Sequence, residues 1–118
     1  MGDGIENIRE NRLRSFDALG CKPESMFDVW LVHSADVVHA DAPTPDGVDV
    51  QKADIVLTDK PELTLYMRFA DCVPILVYDP IKHVIGISHA GWMGTLKDVA
   101  GVTIASMRDK YGSNPADV

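Results

Sequence analysis

The segment VPILVYDPIKHVIGISH, residues 73–89, decides the fold of this chain. It holds two apolar runs, 73–78 and 84–89, which are separated by a five-residue stretch, 79–83, that begins with Asp-Pro. Two short apolar runs joined by a turn of this kind predict an antiparallel β-hairpin. We therefore expect the two ends of the segment to lie side by side.

The predicted hairpin brings a thiol close to an imidazole. If Tyr78 pairs with Val84, then Val73 faces His89, and Cys72 lies at the same end of the hairpin. Directly opposed residues have Cβ atoms about 4.5–5.5 Å apart. A thiol and an imidazole at this separation can share a metal ion or a proton.

Hydrophobic periodicity predicts helices and strands on both sides of the hairpin. Apolar residues recur at helical spacing over 5–19, where Gly20 is a stop signal and Asp3 and Glu6 resemble a capping box. A second apolar stripe predicts a helix over 96–111. Further strands are predicted at 27–33, 36–39, 53–58 and 63–69, with a loop at 40–50. The predicted class is α+β (mixed α/β), a largely antiparallel sheet packed by helices.

Composition excludes several classes of function. The chain has 118 residues, of which 46% are hydrophobic and 25% charged, which is typical of one globular domain. Its net charge of −7 argues against nucleic acid as a partner. No run is apolar enough to span a membrane, and two cysteines make no disulfide framework. We expect a cytoplasmic protein.

The residues after His89 favour a pocket for an anion. Gly91 and Gly94 permit close approach of a ligand to the backbone, and a helix that starts near Thr95 presents free N–H groups. Trp92 can stack on a planar ligand, although a role in anchoring the loop is an equal alternative.

The strings R-F-A-D-C-V-P at 68–74 and H-A-G-W-M-G-T at 89–95 resemble the YfiH-type family. The segment 7–14 resembles the early helix of that family, and Val32-His33 its Gln-Val-His-Gly segment. Members of the family were first described as laccase-like or multicopper polyphenol oxidases. They are now regarded as purine nucleoside phosphorylases with adenosine deaminase and methylthioadenosine phosphorylase activities.

This resemblance implies a zinc site made by His33, Cys72 and His89, with Cys72 and His89 as the catalytic residues. Three nitrogen and sulfur ligands leave one position open, as catalytic zinc sites do. Purine nucleosides and phosphate are the implied small-molecule partners. The implied substrate-binding residues are Arg68, Gly91, Trp92, Gly94 and Thr95.

The chain departs from the family pattern at three positions. Leu31 stands where the family usually has Gln, Ser34 where it has Gly, and Met93 where it has Arg. The loss of that guanidinium makes phosphate binding the activity most in question. The family resemblance also implies that residues 1–118 are a single domain that forms the central part of a longer one. On its own, such a chain would hold the metal ligands without a complete substrate pocket.

Three alternatives remain open at this point. In a cysteine hydrolase or deamidase, Cys72 would be the nucleophile and His89 the base. A copper-dependent polyphenol oxidase is weaker, since one Cys and two His are too few for a multicopper cluster. The last alternative is a catalytically incomplete metal-binding module. His39 and His83 are not expected to be ligands, and Asp71 is the candidate for fixing a ligand tautomer or for capping a turn.

Overall fold

The computed structural model describes residues 4–45 and 48–118, which form helices and two small sheets. The helices are α1 (Ile5–Ala18), α2 (Trp92–Leu96) and α3 (Val99–Tyr111). The strands are β1 (Met26–Trp30), β2 (Val37–His39), β3 (Gln51–Lys52), β4 (Ile55–Thr58), β5 (Thr64–Tyr66), β6 (Val73–Asp79) and β7 (Val84–Ala90). The α+β class is confirmed. The capping box predicted at Asp3 lies outside the described residues.

The two sheets combine antiparallel and parallel pairs of strands. In the four-stranded sheet, ordered β2-β4-β7-β6, the strand β7 runs antiparallel to both of its neighbours while β2 and β4 are parallel. The three-stranded sheet, ordered β3-β1-β5, is wholly parallel. Parallel pairs need long connections, and here more than a dozen residues separate each strand from its parallel partner along the chain. Short apolar runs do not reveal such distant pairings.

The hairpin forms as predicted, but its register is shifted by one residue. Tyr78 pairs with Ile85 rather than with Val84, and Val73 pairs with Ala90 rather than with His89. The pairing therefore brings the residue after β7, Gly91, opposite the residue before β6, Cys72. The sulfur thus faces a position that carries no side chain.

The shift has its cause in the turn. Asp79 stays in β6 and is fully buried, and its Oδ1 accepts hydrogen bonds from the N–H groups of Ile81 (2.8 Å) and Lys82 (2.9 Å). The connection is therefore the four residues 80–83. It closes at His83, whose φ of 54° lies in the left-handed region. A side-chain cap of this kind is not visible in the hydrophobic pattern.

The helix predicted over 96–111 is divided. Lys97 ends α2, and Asp98 has a φ of 54° and begins α3 by accepting a hydrogen bond from the N–H of Gly101. An aspartate at this position favours a new helix start because its carboxylate satisfies a free N–H group. The strands β1 and β5 are also shorter than predicted, and β1 ends three residues before His33.

The core consists of two clusters on the two faces of the four-stranded sheet. One cluster packs β1 against β4, and its buried members include Val29 and Val56. The other packs α3 against β4 and β7, and its buried members include Leu57, Val84 and Met107. None of the helices in the described part of the chain is both long enough and apolar enough to cross a membrane.

Truncating Met107 tests the packing of α3. Met107 is 0% exposed, so that Met107→Ala is expected to lower the free energy of unfolding by about 2–5 kcal/mol through a buried cavity. Urea denaturation followed by circular dichroism measures this. Leu96→Ala is the control, because Leu96 is 77% exposed and its truncation is expected to change stability by less than about 0.5 kcal/mol. Equal effects of the two substitutions would contradict the assigned packing.

Candidate metal centre

His89 lies near the end of β7 and is held by the residue opposite it on the neighbouring strand. Asp54 directly precedes β4, and its carbonyl accepts the backbone N–H of His89 at 2.8 Å. The carboxylate of Asp54 lies 2.7 Å from Nδ1 of the imidazole. His89 is 4% exposed and Asp54 is 0% exposed. This bond leaves Nε2 as the ring nitrogen that is available to a metal ion or a thiol.

His33 is placed by the same carboxylate. The backbone N–H groups of Val32, His33 and Ser34 all donate to Asp54, at 3.2, 3.0 and 2.7 Å, and the hydroxyl of Ser34 donates at 2.8 Å. His33 has a φ of 58°, a conformation that non-glycine residues adopt at an energetic cost. The bonds to Asp54 offset that cost, and they direct the loop after β1 toward β7.

Cys72 approaches both histidines because Gly91 has no side chain. A Cβ atom at Gly91 would lie 3.0 Å from Sγ of Cys72 and 3.1 Å from Nδ1 of His33. The backbone of Gly91 is in the extended region that any residue can adopt, so the requirement for glycine here is one of space. The approach of Cys72 to the two histidines therefore requires a residue without a side chain at position 91.

The structure brings His33, Cys72 and His89 together. One ligand atom from each residue lies within 4.8 Å of the other two. His33 is exposed, Cys72 is half-buried and His89 is buried, so the group faces solvent on one side. The two imidazole centroids are 4.9 Å apart, and the ring of Phe69 lies 5.7 Å from that of His89. An apolar wall thus adjoins the polar cluster.

Asp54 is charged despite its burial. Burial raises the pKa of this carboxyl group and is the largest single influence on it. The hydrogen bonds from the backbone N–H and hydroxyl of Ser34, from His89 and from the N–H of Val32 together outweigh burial, and the pKa of Asp54 lies below its ordinary value. An ionised carboxylate that accepts the Nδ1 proton fixes the tautomer of a ligand imidazole.

Asp54 is the residue that sequence reasoning missed. The carboxylate hydrogen-bonded to the imidazole of His89 is that of Asp54, directly before β4, and not that of Asp71, which is adjacent to Cys72 in sequence. The available signal was an aspartate directly before the wholly buried strand β4. The other two histidines lie elsewhere: His39 bonds to Ser106 on α3 at 3.0 Å, and His83 lies at the far end of the hairpin.

The predicted substrate-binding residues lie on and before α2, apart from Arg68. Trp92 is 76% exposed, and Gly94 is buried, where a Cβ atom would lie 2.9 Å from the carbonyl of His89. The hydroxyl of Thr95 donates to the carbonyl of Gly91 at 3.0 Å. Helix α2 begins at Trp92, earlier than the predicted start near Thr95, because Gly91 serves as its N-cap.

Arg68 has a charged partner within the fold. Its Nη2 lies 3.1 Å from the carboxylate of Asp28, which is buried in β1. The guanidinium is about half exposed. Its role as a substrate contact stays a prediction, since the contact that the structure gives for it is this ion pair.

Residues 1–118 match the family described as multi-copper polyphenol oxidoreductase laccase. The chain belongs to this family. The chain is also similar to YfiH, as its Cys and second His motifs predict. A solved structure of YfiH from Bacillus licheniformis superposes on this chain with a TM-score of 0.81 at 31% identity. That superposition covers 92% of this chain and 43% of the YfiH chain.

Curated relatives of the chain are named purine nucleoside phosphorylases. The chain is 33% identical over its whole length to a purine nucleoside phosphorylase of Corynebacterium glutamicum, of which it covers 48%. It is 33% identical over 111 residues to human purine nucleoside phosphorylase LACC1, covering 94% of this chain and 25% of that protein. The structure of YlmD from Geobacillus stearothermophilus gives a TM-score of 0.91 at 30% identity, covering 98% of this chain and 45% of that one.

The chain spans from a quarter to about half of the length of the curated relatives it matches. The predicted membership in the YfiH-type family is confirmed by these matches. The assignment of residues 1–118 as a single central domain stays a prediction.

Proposed function

We propose that this chain carries the zinc centre of an enzyme that acts on purine nucleosides. The observation that supports this most is the convergence of His33, Cys72 and His89, with one ligand atom of each within 4.8 Å of the others. The names of relatives, which are called purine nucleoside phosphorylases, supply the substrate class. His33, Cys72 and His89 are the proposed metal ligands, and Cys72 and His89 the proposed catalytic residues.

The donor set fits a zinc ion. In a tetrahedral zinc site the sulfur and nitrogen ligand atoms lie about 3.6 Å apart, so that side-chain rotations that bring the atoms about 1 Å closer would let all three reach one ion. Two imidazoles and one thiolate leave a position for a further ligand, and the carboxylate of Asp54 orients His89 from behind. When bound, the ion would act as a Lewis acid toward a phosphate or water oxygen.

Copper is the less favoured ion. Among residues 4–45 and 48–118, this is the one group of three or more His, Cys, Asp or Glu side chains whose ligand atoms lie close enough to share a metal ion. One Cys and two His are too few ligands for a multicopper cluster. Transfer of a ribosyl group to phosphate requires no redox change, so a redox-inactive ion suffices.

Two reactions on purine nucleosides are compatible with the site. In phosphorolysis, a phosphate oxygen bonds to C1′ of the ribose, the C1′–N9 bond breaks, and its electron pair leaves with the base, which takes up a proton. In deamination, a water oxygen bonds to C6 of adenine and the amino group leaves as ammonia. Both require a polarised purine nucleoside in a partly dry pocket.

Residues around the metal group are proposed to bind the substrate. Trp92, exposed at the start of α2, would stack on the purine. Gly91 and Gly94 keep the backbone close to the ligands, and Thr95 holds the first turn of α2 through its bond to Gly91. Arg68 would contact phosphate from its position beside Asp28. We further propose a cytoplasmic location.

Product analysis tests this proposal. The zinc-loaded chain is incubated with adenosine, inosine or methylthioadenosine, with and without phosphate, and products are separated by chromatography. Phosphate-dependent release of free base indicates phosphorolysis, and phosphate-independent formation of inosine from adenosine indicates deamination. Stoichiometric zinc without turnover would select the metal-binding module, and oxidation of phenols after copper loading would select the oxidase.

A cysteine hydrolase or deamidase is the second candidate, and one observation favours it. Cys72, His89 and Asp54 form a chain of thiol, imidazole and carboxylate, which is the order of a nucleophilic triad. This reading leaves the nearby imidazole of His33 without a role. Rapid alkylation of Cys72 by iodoacetamide that zinc does not slow would favour the hydrolase over the metal enzyme.

Filling the space at Gly91 is expected to separate the ligands. In Gly91→Ala, the new methyl group would lie 3.0 Å from Sγ of Cys72 and 3.1 Å from Nδ1 of His33, so one of them must move. Zinc affinity is expected to fall about tenfold or more, the scale of other changes that displace metal ligands. Competition with a zinc-binding dye measures this. Gly4→Ala is the control, because nothing lies within 4 Å of its Cβ position. Unchanged affinity in Gly91→Ala would count against a shared metal ion.

A further inference from the structure

Lys97 places a positive charge beside the loop that carries His33. It directly follows α2, and its ammonium lies 3.4 Å from the backbone carbonyl oxygen of His33. The lysine therefore bridges from α2 to the loop that carries a proposed ligand. Lys97 is exposed, so the N–H groups of its ammonium that do not bond to His33 point into solvent.

This ammonium has no acidic partner in the described part of the chain. Arg14, Lys60, Arg68 and Arg108 are paired with carboxylates there, and Lys97 is not. Among the lysines of the described residues only Lys60 has a carboxylate partner, so the lack of one is common to the exposed lysines. What distinguishes Lys97 is its position, since its ammonium contacts the backbone of His33.

The net charge of a zinc-loaded site at His33, Cys72 and His89 indicates what Lys97 can contribute there. A zinc ion of charge +2 would be balanced by the thiolate of Cys72 and the buried carboxylate of Asp54, so the group itself would be close to neutral. A phosphate dianion would then gain most from a further cation at the exposed side of the site. Lys97 lies on that side, next to His33, the exposed member of the three.

We propose that Lys97 binds the phosphate co-substrate at the mouth of the His33, Cys72 and His89 site. This inference rests on the function proposed above, and beside the contact proposed for Arg68 it assigns a phosphate contact to the residue that directly follows α2, which sequence analysis did not single out. The contact is a charge-assisted hydrogen bond, which is stronger than a neutral one and falls in strength with added salt.

Phosphate binding by the full chain tests the inference. Titration of inorganic phosphate, followed by calorimetry with and without zinc, is compared for the wild type, Lys97→Met and Lys97→Arg. We expect Lys97→Met to weaken phosphate binding about tenfold or more, which is the loss of one charge-assisted bond. Lys97→Arg should stay within about threefold of the wild type, because the charge is kept.

Two measurements separate this role from a structural one. If Lys97 only held the loop of His33, Lys97→Met would weaken zinc binding, whereas an anion contact leaves zinc affinity unchanged. Where turnover is present, KM for phosphate should rise while KM for the nucleoside stays the same. Lys22→Met is the control: it removes the same charge from an exposed residue that precedes β1, whereas His33 follows that strand.

The outcomes distinguish the two proposals. Phosphate binding that is equal in wild type and Lys97→Met, or absent from the wild type both with and without zinc, would overturn the role of Lys97 and leave the zinc site in place. Absence of zinc binding with a phosphate affinity that still depends on Lys97 would overturn the proposed function only. A dependence on Lys97 for adenosine 5′-monophosphate and not for inorganic phosphate would assign the lysine to a nucleotide and overturn the co-substrate role.

Discussion

Replacing Cys72 by alanine is expected to lower zinc affinity by at least about 100-fold. This is more than the 10- to 100-fold loss caused by mutating a residue that hydrogen-bonds to a metal ligand. Of the three proposed ligands, Cys72 is the one that would bind zinc with a negative charge, as a thiolate, so its removal would leave only two imidazoles to hold the ion. Phosphorolysis, where the zinc-loaded chain shows it, is expected to disappear together with the metal. Elemental analysis after gel filtration and an affinity titration with a zinc-binding dye measure the loss.

The chain offers a matched control for this substitution. Cys21 is the other cysteine, half-buried in the loop after α1, where its thiol lies 3.7 Å from the carbonyl of Leu19. Cys21→Ala is expected to retain zinc at the level of the wild type. Full zinc content in Cys72→Ala would end the metal assignment, and turnover that is lost while zinc is retained would favour the role of Cys72 as a covalent nucleophile.

Replacing Asp54 by asparagine is expected to lower both the stability of the fold and the affinity for metal. The carboxylate accepts hydrogen bonds from three backbone N–H groups, one hydroxyl and one imidazole, and an amide offers a single acceptor oxygen for them. Hydrogen bonds to a charged group contribute about 1.5–3 kcal/mol each, so we expect a loss of about 2–4 kcal/mol in the free energy of unfolding. Urea denaturation of the zinc-free protein measures it.

The same substitution is expected to weaken zinc binding about 10- to 100-fold in the molecules that remain folded. The reason is that His89 loses the partner that fixes its Nδ1 proton, and the loop of His33 loses the acceptor that holds its strained backbone. Zinc titration at low temperature, where the variant is folded, separates the affinity from the stability.

Asp71→Asn is the control for both measurements. Asp71 is exposed and adjacent to Cys72 in sequence, and it has the same chemistry as Asp54. Because it has no hydrogen bond to a ligand imidazole within the described residues, we expect neither stability nor zinc affinity to change. If Asp71→Asn were the variant that lost zinc, the assignment of Asp54 as the orienting carboxylate would be wrong.

The proximity of Cys72 and His89 could be predicted from the sequence because it depends on a local hairpin. A register error of one residue moves each partner by only about one strand position, 3.4 Å, so the two ends of the hairpin still meet. The same error exchanges the faces of the hairpin, so the predicted register put Cys72 and His89 on opposite faces, whereas the observed pairing of Val73 with Ala90 puts them on the same face. The apolar runs of β6 and β7 were therefore enough to predict that these residues lie at the same end of the hairpin, but not that they share a face.

His33 was placed by resemblance and not by local reasoning. Its segment was predicted as the end of a strand, whereas β1 ends at Trp30 and His33 lies in a left-handed bend beyond it. The bend exists because Asp54, distant along the chain, accepts the N–H groups around it. No local pattern encodes an acceptor that arrives from another strand.

The sequence by itself determined the α+β class, the hairpin, and the family to which the Cys and second His motifs belong, because these depend on residues that are neighbours along the chain. The tertiary structure alone decided the parallel pairings, the division between α2 and α3, and the position of Asp54 between two proposed ligands. It also decided the contact between Lys97 and His33. These features depend on hydrogen bonds and charges that join strands and loops distant in sequence, and such contacts leave no periodic signal.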